Sequence, residues 1–152
     1  MAEKGTLWCL DESLRDYSRR LDGVEVRYLV GKRLVLSFVD AERPGLGGGY
    51  RATRRYTVTF SQGFRALQVL DLAGSAEIDG VICRWIDEGL VPSGRCPVFR
   101  LRDSDYLRWL EESNRCGSYG PMPGLTHYLF VTEDQIYEVL SGEEPEVTVE
   151  KL

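Results

Sequence analysis

Few residues in this chain have the chemistry for catalysis. His127 is the only histidine, and histidine is the side chain that most readily moves protons near neutral pH. A nucleophile–base pair needs a Cys or Ser within hydrogen-bonding reach of the imidazole and an acid to orient the ring. Cys116 is close in sequence, and Glu133, Asp134 or Glu138 would supply the acid. Together these residue types would make a Cys-His site in a small enzyme of unrecognised type. The context of Cys116 opposes it. The thiol precedes Gly117 at the end of a helix-like stretch, where the negative end of the helix dipole disfavours a thiolate. The expectation is that His127 is a strand residue satisfied by a backbone or side-chain partner. No catalytic residue is assigned. The enzymatic alternative keeps Cys116 with His127, or a carboxylate pair drawn from Asp71, Glu77, Asp79, Asp87 and Glu88.

Other chemistry-bearing patterns fail on context. Cys9, Cys83, Cys96 and Cys116 are widely spaced with no C-x-x-C pair, and one histidine cannot complete a Cys/His zinc set. They read as reduced thiols. The Asp103-Ser104-Asp105 run lacks EF-hand spacing and reads as a helix cap. GLGGGY, residues 45 to 50, is followed by a strand-like stretch and no G-K-[ST], so it reads as a mobile loop and not as a phosphate cradle. No metal or cofactor is expected. Net charge is −5, which argues against general nucleic-acid binding because that affinity comes from neutralised phosphates. Arg51, Arg54 and Arg55 form only a local basic strip.

The C-terminal end is more informative. Glu133, Asp134, Glu138, Glu143, Glu144, Glu146 and Glu150 face a single base, Lys151. Such a run keeps a domain soluble, or steers a basic partner onto an acidic patch. Trp109, Tyr119 and Tyr137 would supply aromatic anchors beside it. The candidate partner-binding residues are therefore Trp109, Tyr119, Glu133, Asp134, Tyr137, Glu138, Glu143 and Glu144.

These residues must be held by ordinary elements. Leu10, Leu14, Tyr17 and Leu21 recur on one helical face, Asp11 or Ser13 can cap it, and Gly23 can end it, which predicts a helix over 11–23; a strand through 14–21 is the alternative. VEVRYLV and RLVLSFVD alternate apolar and polar residues around Gly31-Lys32 and predict a tight hairpin with a two-residue type II′ turn. RRYTVTF, FRALQVLDL, EIDGVICRWID, VFRL, THYLFVT and QIYEVLSG read as further strands, with a last one through Val147 and Val149. Gln62-Gly63 and Glu133-Asp134 read as turns. SDYLRWLEESNRCG predicts a helix capped by Ser104, with Tyr106, Leu107 and Leu110 as its apolar stripe and a Glu111–Arg115 pair. The sum is eight or nine short strands and one or two helices. Strands that follow one another without helical crossovers pair antiparallel. The expected fold is α+β, mainly antiparallel β, as a curved meander sheet or a two-layer β structure, with the Ser104 helix covering one face or closing one end.

The chain's 152 residues, 43% apolar and 28% charged, fit a single soluble domain over 1–152 that can bury a core without staples. Mean hydropathy is −0.26, and no apolar run is long enough to cross a bilayer. MAEKGTLWCLDES has no apolar signal region, so a cytoplasmic location without membrane association is expected.

The hairpin VEVRYLVGKRLVLSF, the strand RRYTVTF and the ending HYLFVTEDQIYEVLSGEEPEV carry a resemblance. In size and pattern the chain resembles small bacterial immunity proteins and immunity-like families of polymorphic toxin systems. Its ending is similar to an H-Y-x-(apolar)-x-(T/S)-x-D-x-(apolar)-x-(E/D)-V pattern in such families. The resemblance implies a protein partner, a cognate toxin, bound stoichiometrically and neutralised by occlusion. It carries over no functional residue. A homo-oligomer pairing its own sheet edge is a further alternative.

Overall fold

The computed structural model of the chain describes residues 4–7, 19–29, 33–42, 51–71, 98–102, 104–115, 124–132 and 135–152. Among them are nine strands and one helix: β1 (Lys4–Leu7), β2 (Arg19–Leu29), β3 (Arg33–Glu42), β4 (Arg51–Phe60), β5 (Ala66–Asp71), β6 (Val98–Arg102), α1 (Asp105–Arg115), β7 (Thr126–Val131), β8 (Gln135–Ser141) and β9 (Glu146–Lys151). All pairings are antiparallel. The fold is α+β and mainly antiparallel β, as the alternating sequence pattern implies. Among the described residues no helix is long and apolar enough to cross a membrane.

The strands form two sheets, ordered β2-β3-β4-β9 and β1-β6-β7-β8-β5. In the four-stranded sheet, Val26, Leu36, Val58 and Val147 line up across all four strands, with Leu34 opposite Phe60 and Phe38 opposite Tyr56. Residues directly opposite share a face, so these rows make one face apolar over the middle of the sheet. It meets Tyr128, Phe130, Tyr137, Val139 and Leu67 of the five-stranded sheet in one core. Aromatic rings set this contact. Phe38 stacks on Phe130 with centroids 5.3 Å apart, and Tyr137 and Tyr128 meet Phe38 and Phe60 edge-on at 5.6 Å and 5.5 Å.

Two local expectations are corrected. The predicted 11–23 helix gives way to β2 over 19–23, while 11–18 lie outside the described residues. Gly23, read as a helix terminator, instead borders a β-bulge: the register shifts between Gly23 and Glu25, a place where the missing side chain tolerates the irregularity. The β2–β3 hairpin forms, but Leu29 pairs with Arg33, leaving three residues between them instead of two. Its turn, 30–32, lies outside the described residues. Parity explains the register. Val26 shares a face with Leu34, Leu36 and Phe38 only if paired positions sum to an even number, which requires an odd loop. A one-residue slip would turn the apolar set to the wrong face.

The GLGGGY loop, the EIDGVICRWID strand and all four cysteines lie outside the described residues. β1 was not foreseen. Gln62-Gly63 does mark a reversal, with Gly63 at φ 107°, but the chain there leaves one sheet for the other, because β4 and β5 belong to different sheets.

Candidate functional site

α1 packs against the face of the five-stranded sheet that points away from the shared core. Its start is set by Ser104. The Leu107 N–H donates to Ser104 Oγ at 3.1 Å, and the Arg108 N–H donates to the Ser104 carbonyl at 3.0 Å. This is the N-cap the sequence predicts. Leu107 is buried and Tyr106 and Leu110 are half-buried, so the apolar stripe is also as predicted.

The same serine reaches His127 on β7. Ser104 Oγ lies 2.8 Å from His127 Nδ1. The other ring nitrogen, Nε2, lies 3.0 Å from Glu138 Oε1 on β8. That second contact is at ion-pair distance but is not aligned as a hydrogen bond. The register explains why these two residues meet. His127 is opposite Leu140 and Glu138 is opposite Leu129, so His127 and Glu138 are diagonal neighbours on one face. Ser104 is 1% exposed, His127 3% and Glu138 5%. Ser104 Oγ accepts the Leu107 N–H and keeps both a proton and a second lone pair for Nδ1, so it can satisfy either tautomer of the ring.

The order Ser–His–carboxylate is that of a nucleophile, its base and an orienting acid. Its setting is that of a structural pin. The serine oxygen is occupied as a cap, all three side chains are buried, and together they tie α1 to two strands. Buried polar groups need partners: Ser104 and His127 Nδ1 serve each other, and Nε2 faces the Glu138 carboxylate at 3.0 Å. Glu138 was foreseen as an acid for His127. Ser104 was foreseen only as a cap; no sequence spacing joins residues 23 positions apart, and only the docking of α1 brings them together.

A line of rings runs outward from the pin. Tyr106 meets His127 edge-on at 5.5 Å and stacks on Trp109 at 5.6 Å with 22° between planes. Burial, and secondarily the negative charge of Glu138, push the Tyr106 hydroxyl up to about 12, so it stays neutral at physiological pH. Trp109 is 56% exposed. Around it on α1, Asp105, Glu111 and Glu112 are exposed; Asp105 pairs with Arg108.

The other expected partner-binding residues separate from Trp109. Tyr137 is 6% exposed and packs in the shared core, with its hydroxyl on Gln135 Oε1 at 2.7 Å; it presents no surface to a partner. Glu138 faces inward to His127. Glu143 accepts the Gln62 N–H at 2.7 Å, and its carbonyl accepts the Tyr128 hydroxyl at 3.0 Å. Glu144 pairs with Arg100, which is opposite Tyr128 on the core-facing side. Glu143 and Glu144 are therefore held from one face of the sheet and Trp109 from the other. Tyr119, Glu133, Asp134 and Cys116 lie outside the described residues; Thr132 and Gln135 are hydrogen-bonded to each other. Among the described residues no three His, Cys, Asp or Glu side chains converge to hold a metal ion. No protein-family model, curated protein or solved structure matches this chain.

Proposed function

We propose that this chain is a non-enzymatic, cytoplasmic binding protein of the immunity type, which neutralises a cognate toxin by covering its active site. The observation that carries the reading is the exposure of Trp109. A tryptophan left 56% exposed while stacked on a second ring is already ordered before a partner arrives, and ordered aromatic anchors dominate binding energy. Exposed Asp105 and Glu112 are its neighbours along the helix, and Glu111 is exposed further round it; the net charge of −5 favours a basic partner through steered association. In this reading the docking surface is α1, and the two packed sheets are the scaffold that holds it. The test is co-purification with the products of the genes adjoining its own, at low and high salt. One stoichiometric partner, released by salt, is expected. Absence of any such partner at both salt concentrations overturns the reading.

A second reading has its own observation, the Ser104–His127–Glu138 order. In an acyl hydrolase, Ser104 Oγ would attack an ester carbonyl while His127 Nδ1 takes its proton. Ser104 at 1% exposure opposes it. A fluorophosphonate that labels Ser104 in the wild type and not in His127→Ala would favour hydrolysis; an unlabelled serine sinks this alternative.

A further inference from the structure

We infer that the exposed face of α1 is a seat for an arginine side chain of a basic protein partner, with the guanidinium stacked on Trp109 and its N–H groups directed to Glu112. This rests on the binding-protein reading and deepens it by naming the chemistry of the group that is bound.

Helical spacing brings the parts together. Glu112 lies three residues after Trp109, so its carboxylate is beside the indole on one strip of the helix. Both residues are exposed. A planar cation is attracted to the face of an indole, most strongly where carboxylates also engage it. Guanidinium fits better than ammonium, because it stacks flat and offers a fork of donors at the same time. Asp105 is already engaged by Arg108 on this helix, so Glu112 is the carboxylate of the seat.

The seat is rigid for a reason visible in the fold. One face of Trp109 is fixed by the stack on Tyr106, Tyr106 is braced by His127, and His127 is held by Ser104. The Ser113 hydroxyl donates to the Trp109 carbonyl at 2.8 Å, which secures the helix turn beneath. A ring ordered from the core outward loses little freedom on binding.

The experiment titrates the full chain with oligo-arginine, oligo-lysine and oligo-citrulline peptides of equal length, read at the Trp109 indole N–H by NMR. That signal is assigned by its loss in Trp109→Phe. Arginine is expected to bind most tightly, lysine less so, and citrulline, which keeps the shape but lacks the charge, least. Trp109→Ala leaves the charge unchanged and should weaken oligo-arginine binding, measured by calorimetry, by about five- to tenfold; Glu112→Gln should also weaken it. Circular dichroism checks that the variants remain folded. Equal binding by citrulline, or undiminished binding to folded Trp109→Ala, overturns the inference. Failure here is distinguishable from failure of the wider reading. A protein partner captured equally well by Trp109→Ala leaves the chain a binder and removes the arginine seat. Selective arginine binding at Trp109 with no protein partner keeps the seat and removes the immunity role.

Discussion

At the residue scale, the buried chain Ser104–His127–Glu138 carries more than any one of its members. Ser104 is both a helix cap and the partner of His127. Ser104→Ala should therefore cost about 1 kcal/mol for the cap and a further ~1–3 kcal/mol for a buried nitrogen left without its partner. Urea unfolding measures the total. Combined with His127→Ala, the two losses should add to less than their sum, because the second change removes the group that the first one strands. Full additivity would separate the cap from the pin. Tyr106 gives a pH signature. Its folded value of about 12 lies above the ordinary tyrosine value of 10.0, so the unfolded chain ionises first as pH rises. The stabilisation is complete below pH 10 and is lost towards pH 12. Tyr106→Phe should make the alkaline loss of stability shallower, as followed by denaturant unfolding across that window. Part of the loss should remain, since burial also raises Tyr128. The cap was legible because Ser before an apolar stripe is a local signal. The pin was only half legible: the sequence offers Glu138 to His127, but Ser104 joins them through tertiary docking.

At the element scale, register was more legible than turn chemistry. Gly31-Lys32 points to a two-residue loop, yet the even-numbered apolar positions of β2 and β3 share a face only across an odd one. Core burial outweighs turn preference, since a slip would expose Leu34, Leu36 and Phe38 together. Nuclear Overhauser contacts should accordingly join Val26 to Leu36 and not to Ser37. Leu36→Ala, at a fully buried position in the row across all four strands, should cost about 2–5 kcal/mol. Arg27→Ala, itself exposed and paired with exposed Glu25, should stay within about 0.5 kcal/mol. The misread helix follows the same logic. Leu10, Leu14, Tyr17 and Leu21 have helical spacing, but β3 extends to Glu42 and pairs with the chain back to Arg19. Long-range pairing overrides a short local period, and Gly23 marks a bulge as readily as a helix end.

At the scale of the whole molecule, two sheets share one aromatic core, and a single described helix lies on the outer face of one of them. Alternation gave the inward faces, because each strand has period two. The assignment of strands to sheets was not legible: β5 follows β4 after a short turn yet joins the other sheet beside β8. That non-local choice also divides the candidate surface. A run of acids close in sequence is dispersed when β8 turns Glu138 inward while Glu143 and Glu144 are held from the core-facing side. Trp109 remains as the exposed anchor, and the account rests on it. The most direct test is the dissociation constant of the complex with the partner encoded beside this chain, for wild type and for Trp109→Ala, with unfolding curves run on both. The account predicts a variant of unchanged stability that binds about thirtyfold more weakly or worse, as loss of a central aromatic anchor does. An unchanged constant, or a folded chain that holds no partner at all, would contradict it.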